Sequence, residues 1–316
     1  MGQEGEIEKR RRYCESTLSK FRDDLKQIEL PGNCAVVVNG SFARREASDQ
    51  SDVDYFVLHD DGPVSSNELQ RLNQLVVQTI ERHGLRPPAV NGAFAAAESI
   101  DQFLHNVGGA NDPNEKLTRR MLFMLEGEWL TQRDLFLKFR SRLINEVYAK
   151  QDLSDHQLAR FFLNDLIRYW RTIGVDFEFK TAEAGKPWGT RNLKLAFSRK
   201  LLYFSGLLMT AETAQQTVTG KARVLAELSA LDPISRVKKI CGQEANKALA
   251  IYEEFLEKLS DKAFRALADS VDQDRKKQPE EFRDLKNRGQ YFSWELDRLL
   301  HMAYGPGHPI HHALIF

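Results

Sequence analysis

The sequence predicts an α/β (α+β) domain with a small mixed sheet over residues 1–130, followed by an all-α helical domain over residues 131–316. Two observations lead to this fold class. Short β-branched runs alternate with helical patterns early in the chain, whereas helical patterns take over from about residue 113 onward. With 316 residues, 42% of them hydrophobic, the chain can bury such cores without disulfides.

The first domain is expected to run helix, strand, loop, strand, helix, strand. Apolar residues recur at helical spacing from Ile7 to Ile28, and Pro31 and Gly32 are residues that end such a helix. β-branched runs bounded by Asn, Asp and Gly predict the strands. In chain order, the predicted elements are a helix at 5–29, strands at 34–38 and 53–58, a helix at 69–80 and a short strand at 93–97.

Capping residues locate two helices of the second domain. Ser154 with Gln157 forms a predicted capping box for a helix through Arg171, and Thr190 is predicted to cap a helix at 191–208. The segment 270–288 is rich in charge and poor in apolar residues, which predicts an exposed helix or a connector.

Composition argues against several classes of function. The 45 basic residues balance 45 acidic ones, so no net field attracts duplex DNA and any nucleotide site must be local. Cys14, Cys34 and Cys241 form no CxxC pair, which argues against disulfides and against a cysteine-rich zinc site. No run of about 18 apolar residues occurs, so we expect no membrane span and a cytoplasmic location.

Two carboxylates stand two residues apart at the start of the second predicted strand. Because side chains alternate along a strand, Asp52 and Asp54 are expected on the same face. Two like charges side by side cost energy unless a cation or hydrogen-bond donors compensate them. Mg²⁺ (or Mn²⁺) prefers carboxylates together with phosphate oxygens and water, so the pair predicts a catalytic metal site.

Gly40 and Ser41 end the first predicted strand, ahead of the polar loop that leads to the carboxylates. A glycine lacks a Cβ and lets the backbone approach a phosphate, and a serine hydroxyl can donate to that phosphate. Taken singly, Gly-Ser is commonplace and Asp-x-Asp occurs in turns and on solvated faces. In this order, with strands on both sides, the two motifs predict a phosphate cradle beside a metal.

The residues Gly40-Ser-Phe-Ala-Arg-Arg-Glu46 followed by Ser51-Asp-Val-Asp54 resemble the signature of the polymerase-β-type nucleotidyltransferase superfamily. The closest similarity is to the bacterial branch that contains the uridylyltransferase GlnD and the DUF294-like nucleotidyltransferases. Residues 162–171 and 188–200 resemble the helical region of that group, so the resemblance spans about residues 20–210.

The resemblance implies specific roles for these residues. Gly40 and Ser41 would hold nucleotide phosphates, while Asp52 and Asp54 would hold the catalytic divalent metals. The implied reaction moves a nucleoside monophosphate from ATP or another NTP to an acceptor, and pyrophosphate leaves. The acceptor remains open among a protein side chain, an RNA end, a small molecule and a nucleotide.

One departure from the superfamily pattern leaves two functions open. A third carboxylate usually lies on a later strand, but residues 84–94 contain none. Glu98 and Asp101 follow, and either could supply the missing base, but we interpret them as a solvated residue and a helix cap. The paired Asp52 and Asp54 favour an enzyme, whereas the missing carboxylate favours a catalytically weak nucleotide sensor or regulatory module.

A basic stretch of the second domain is expected to complete the nucleotide site. On a regular helix, Arg191, Lys194 and Ser198 share one face, opposite an apolar stripe, and that face suits a triphosphate. A solvated basic face is the alternative. Lys200 falls within the apolar arc, and Asp165 is its expected partner.

The C-terminal tail combines three histidines with an apolar end. His308, His311 and His312 lack a carboxylate or cysteine that would complete a metal-ligand set, so no metal is expected there. Residues 314–316 are apolar and are expected to dock on their own domain or on a protein partner.

Overall fold

The computed structural model describes residues 4–27, 32–60, 64–88, 97–150, 154–183, 185, 187–274 and 277–315. The chain divides into two compact units. The first comprises Met1–Asp155 with Gln216–Asp232, and the second comprises His156–Gln215 with Pro233–Phe316. The first unit thus runs past residue 130, where composition placed the domain boundary. It also takes in a later helical segment, since Arg140 Nη1 donates to the carbonyl of Ser229 at 3.0 Å.

The described residues form four short strands and fifteen α-helices. The strands are β1 (Cys34–Val38), β2 (Tyr55–His59), β3 (Ala97–Ser99) and β4 (Glu128–Trp129). The helices are α1 (Glu6–Lys26), α2 (Gly40–Ala43), α3 (Ser66–Arg82), α4 (Ile100–Leu104), α5 (Asn114–Leu125), α6 (Arg133–Leu143), α7 (Arg160–Ala182), α8 (Trp188–Lys194), α9 (Lys200–Ala211), α10 (Val218–Ser229), α11 (Pro233–Cys241), α12 (Asn246–Ser260), α13 (Lys262–Ser270), α14 (Glu280–Ala303) and α15 (Pro309–Ala313). None of these described helices combines the length and the apolar composition that a membrane span requires.

The four strands form one mixed sheet in the order β3-β2-β1-β4. β1 is antiparallel to both β2 and β4, whereas β2 and β3 are parallel. A small mixed sheet followed by a helical region is the fold class that the sequence predicted. Because successive side chains point to opposite faces, the continuous buried runs of β1 and β2 fill both faces of the sheet.

Helices cover the two faces of this sheet. On one face, Tyr55 belongs to a core with residues of α1 and α3, such as Leu18 and Val76. On the other face, the ring of Phe56 lies 6.2 Å from that of Phe103 and 6.4 Å from that of Phe123. These aromatic contacts tie α4 and α5 to the sheet, because ring pairs at such distances stabilise a core beyond their burial.

The elements predicted for the first half are present with shifted ends. The strand at 34–38 is confirmed, and the strand predicted at 53–58 is observed as β2, two residues later at its start. α3 begins earlier than predicted because Ser65 and Glu68 form a capping box. Of the strand predicted at 93–97, residues 93–96 lie outside the described residues, and β3 begins at Ala97.

Both predicted caps of the second half are wrong. α7 begins at Arg160 and its N-cap, Ala159, makes no side-chain bond, so Ser154 and Gln157 do not form the expected box. α8 begins at Trp188 after Pro187, which places Thr190 inside the helix. A proline has a fixed φ that suits the start of a helix. The helix therefore begins directly after the proline and needs no hydroxyl cap from the threonine.

The second unit is built from α7–α9 and α11–α15, and its centre is the apolar stripe that the sequence indicated on α8 and α9. Leu193, Phe197, Leu201, Phe204 and Leu208 are all buried. Between the two helices, residues Leu195–Arg199 form a π-helical turn. A π turn holds more residues than an α turn, so side chains after its start are rotated from their α-helical positions.

Candidate functional site

Gly40 lies directly against the carboxylate of Asp54. After β1, Asn39 is extended and Gly40 has a φ of +69°, which turns the chain into the short helix α2. A Cβ at Gly40 would lie 2.5 Å from Asp54 Oδ2, well inside van der Waals contact. The position therefore needs glycine for its backbone conformation and for the space beside the carboxylate. The Gly40-Ser41 and Asp-x-Asp motifs, separated in the sequence, meet here.

The hydrogen-bond ladder between β1 and β2 brings the motifs together. Val38 pairs with Tyr55, and the backbone N–H of Asn39 donates to the carbonyl of Asp54 at 2.9 Å, which extends the ladder by one residue. Val53 and Tyr55 are buried, whereas Asp54 is half-buried and Asp52 is exposed. This alternation agrees with the predicted placement of both aspartates on one face.

Asp52 is ion-paired with an arginine that the sequence reasoning did not consider. Arg86 Nε lies 2.9 Å from Asp52 Oδ1, and the two residues also form an isolated parallel β-bridge. The side chains are 67% and 55% exposed, so solvent screens the pair and its contribution to stability is small. A divalent cation at Asp52 would nevertheless have to share the carboxylate with this guanidinium or displace it.

A buried carboxylate, Glu126, holds the Gly40 turn in place. Its Oε1 accepts the backbone N–H of Gly40 at 2.8 Å, and its Oε2 accepts Arg44 Nη1 at 2.7 Å. Arg44 Nε also donates to Glu46 Oε2 at 2.9 Å, and Arg10 donates to the carbonyl of Glu46. Glu126 and Arg44 are almost fully inaccessible to solvent. Charge-assisted bonds of this kind are strong, so the turn is rigidly positioned before any ligand binds.

A second carboxylate, Glu128, also holds the Gly40 turn in place, through ion pairs near the protein surface. Glu128 forms ion pairs with Arg45, at the end of α2, and with Arg22 of α1. The Arg22 guanidinium also lies 4.0 Å from the centre of the Trp129 ring. These arginine contacts thus connect the turn to both α1 and β4. Sequence reasoning missed Glu126 and Glu128, because only the pairing of β4 with β1 brings them near residue 40.

The two carboxylates considered as a missing base are both ion-paired. Glu98 pairs with Arg119, and Asp101 Oδ1 lies 2.6 Å from Arg142 Nη2. The backbone N–H of Asp101 is capped by the Ser99 hydroxyl at the start of α4. Across the described ranges, no group of three or more His, Cys, Asp or Glu residues is arranged to hold a metal ion. Glu126 also lies beside Gly40, but its carboxylate is engaged by the Gly40 N–H and by Arg44, so Asp52 and Asp54 remain the candidate metal ligands.

In the second unit, the predicted face of Arg191, Lys194 and Ser198 does not exist as such. Lys194 is exposed and Arg191 is half-buried, but Ser198 is buried and accepts a hydrogen bond from the Tyr252 hydroxyl at 3.2 Å. The shared face assumed a continuous α-helix, and the π turn at Leu195–Arg199 changes the phase before Ser198. Ser198 is thus a packing residue, and Arg191 and Lys194 alone remain candidates for phosphate contacts.

The predicted partner of Lys200 is also wrong. Lys200 Nζ donates to Ser293 Oγ at 2.5 Å, while Asp165 Oδ1 accepts from Arg168 Nη1 at 2.9 Å. Burial lowers the pKa of Lys200 because it penalises the charged amine.

The C-terminal histidines make local contacts. His311 Nε2 lies 2.9 Å from the carbonyl of Tyr304, and His308 caps α15. Ile310 is buried in the second unit, whereas Ile315 is 74% exposed. Phe316 lies outside the described residues. The expectation that residues 314–316 dock on their own domain is therefore wrong for Ile315, and a protein partner for the end of the tail stays a prediction.

Comparison with known families supports the assignment of the motifs. A family model described as a nucleotidyltransferase domain matches residues 18–89. That stretch contains Gly40, Ser41, Asp52 and Asp54, and it is similar to nucleotidyltransferase domains of the polymerase-β type. The match supports nucleotidyl transfer as the general activity. No curated protein matches the chain.

Proposed function

We propose that this protein is a metal-dependent nucleotidyltransferase that transfers a nucleoside monophosphate from an NTP to an acceptor hydroxyl and releases pyrophosphate. The observation that carries the proposal is the contact between Gly40 and Asp54. A glycine whose Cβ would lie 2.5 Å from a carboxylate oxygen leaves open a space that any side chain would fill. That space borders both a backbone suited to phosphate and an oxygen ligand suited to Mg²⁺.

The donor set fits a divalent cation of the Mg²⁺ or Mn²⁺ type. Asp52 and Asp54 would hold it, since two carboxylates together with phosphate oxygens and water are the ligands that Mg²⁺ prefers. When bound, the cation stabilises negative charge on the attacking and leaving oxygens. Glu126 keeps the Gly40 N–H turned inward to the protein, so the Ser41 hydroxyl is the proposed phosphate donor of this turn.

In the proposed reaction, the acceptor oxygen forms a bond to the α-phosphorus and the bond from that phosphorus to the pyrophosphate oxygen breaks. We assign no base to the acceptor proton and expect it to pass to solvent. Arg191 and Lys194 of the second unit are proposed to bind the β- and γ-phosphates. The proposed subgroup is the branch with GlnD and the DUF294-like proteins, and the proposed location is the cytoplasm.

One observation favours the second candidate, a weakly catalytic nucleotide sensor. The pairing of Asp52 with Arg86 places a positive charge at one of the two carboxylates that are proposed to hold the cation. Such a site would bind a nucleotide but would transfer the nucleoside monophosphate slowly. The two functions differ in one measurable quantity, the rate of label transfer at saturating NTP.

To test the proposal, the full chain is incubated with each α-labelled NTP, with Mg²⁺ or Mn²⁺, and with candidate acceptors. The products are then examined for labelled protein, RNA or small molecule. The combined Asp52→Asn and Asp54→Asn variant should lose transfer and keep its fold, because amides are poor Mg²⁺ ligands. The control is Asp23→Asn, which changes an exposed carboxylate of α1 paired with Lys26. Undiminished transfer by the double variant would reject this site, and binding without transfer by wild type would favour the sensor.

A further inference from the structure

The Asn39 side chain is buried without a hydrogen-bond partner at the candidate site. Asn39 is fully inaccessible to solvent, and neither its Oδ1 nor its Nδ2 has a partner among the residues that the structure describes. It is also the N-cap residue of α2, yet its side chain makes no capping bond. Most buried side-chain amides are bonded, so a doubly unsatisfied one in a native fold needs an explanation.

The β1–β2 register puts Asn39 on the same face as Asp54. Val38 opposes Tyr55, and the next pair along the ladder is Asn39 with Asp54, joined by the 2.9 Å backbone hydrogen bond. Directly opposed residues of an antiparallel pair point to the same face, with Cβ atoms about 4.5–5.5 Å apart. The amide therefore neighbours the carboxylate that borders the Gly40 space, on the face where Asp52 also lies.

A purely structural role does not account for this residue. An apolar side chain of the same size would fill the position and leave no unsatisfied polar atom, so burial alone favours leucine over asparagine. A bound cation is one group that can satisfy such a buried amide. Residues 84–94, where the resemblance expects a third carboxylate ligand, contain none, and the carbonyl oxygen of a carboxamide suits Mg²⁺ and Mn²⁺.

We propose that Asn39 is an unassigned residue of the cation site, and that its Oδ1 supplies a neutral oxygen donor beside Asp54. This inference rests on the proposed metal-dependent function. Asn39 has only two side-chain torsions, so a small rotation reorients the carboxamide. A neutral donor leaves the site with two negative charges, which makes cation binding weaker than in a site with three carboxylates.

The test measures divalent-cation binding to the full chain without NTP or acceptor, by Mn²⁺ electron paramagnetic resonance and by the cation-dependent rise in melting temperature. Asn39→Leu should raise the cation-free melting temperature by about 2–4 °C and abolish most of the Mn²⁺-dependent rise. Asn39→Asp adds a charge at the site and should tighten Mn²⁺ binding by about tenfold, equivalent to about 1.4 kcal/mol. The acidic variant keeps the test decisive if the leucine variant fails to fold.

Tyr55→Phe is the matched control. The Tyr55 hydroxyl is also buried and has no partner in the described part of the chain, but Tyr55 lies on the opposite face of β2 from Asp54. Removing it should leave Mn²⁺ binding unchanged. If Asn39→Leu and Asn39→Asp bind Mn²⁺ like wild type, the inference is overturned.

The assay also separates failure of the inference from failure of the proposed function. Transfer that depends on Asp52 and Asp54, together with Mn²⁺ binding that ignores position 39, would overturn only the role of Asn39. Mn²⁺ binding that follows the Asn39 variants, in a chain that transfers no label, would overturn the enzyme and support the cation site.

Discussion

Replacing Gly40 with alanine changes the site by a single carbon atom and tests its central contact. The new Cβ would lie 2.5 Å from Asp54 Oδ2 and 3.3 Å from Asp54 Cγ. It would also force alanine into a backbone conformation with φ of +69°. The first effect displaces a proposed metal ligand, and the second destabilises the fold.

The two effects have different sizes. A left-handed conformation costs an alanine about 1–2 kcal/mol, which should appear as a lower free energy of unfolding. Ordinary contact begins at 3.4 Å, so the Asp54 oxygen or the turn has to move by about 0.9 Å. Misplacing a catalytic group by about 1 Å can lower the rate about 100-fold. We therefore expect a modest loss of stability and a large loss of transfer.

Gly84→Ala is the matched control for the backbone term. Gly84 has a φ of +71°, and a Cβ built there meets no atom within 4 Å. The free energy of unfolding, measured by urea titration, should fall by a similar amount in both variants. Only Gly40→Ala should lose transfer of the α-labelled phosphate. Equal activity of Gly40→Ala and Gly84→Ala, at equal stability, would refute the reasoning that Asp54 is positioned by the absence of a side chain at residue 40.

Three further predictions concern charged residues. Arg86→Ala should lower the Mg²⁺ concentration for half-maximal transfer about two- to fivefold. Arg82→Ala, which breaks the ion pair of a similarly exposed arginine with a less exposed aspartate, should not. An unchanged Mg²⁺ requirement in Arg86→Ala contradicts competition at Asp52. Glu126→Gln should lower the free energy of unfolding by about 3 kcal/mol in urea titrations, and a loss below about 0.5 kcal/mol would show that the buried network is not stabilising. Arg191→Ala, and likewise the alanine variant of Lys194, should weaken NTP binding about tenfold or more and NMP binding less, and equal losses for both nucleotides would reject a triphosphate contact.

Local patterns were sufficient to predict the motif pair. Gly40-Ser41 and Asp52-x-Asp54 each follow from short-range geometry, because a strand ends at a known residue and side chains alternate along it. β1 and β2 needed only β-branched runs between turn residues. The face shared by the two aspartates could therefore be predicted from the sequence, whereas the contact between Gly40 and Asp54 could not.

The residues that hold the site could not be predicted in this way. Glu126 reaches Gly40 because β4 pairs with the far edge of β1, and no periodicity in the sequence encodes that pairing. The unpaired amide of Asn39 becomes evident only when burial and partners are known together. Ser198 was misplaced because the π turn before it interrupts the 3.6-residue period on which helical faces are predicted.

The hydrogen bond from Gly40 to Glu126 also determines how short a fragment of this chain can be and still be expected to form the candidate site. The family match ends at residue 89, but a fragment cut there would lack the carboxylate that binds Arg44 and the Gly40 N–H. It would also lack β4, so β1 would become an open edge strand whose free backbone groups favour association between chains. An expression fragment that ends before Trp129 is therefore expected to aggregate with an unformed turn, whatever motifs it retains.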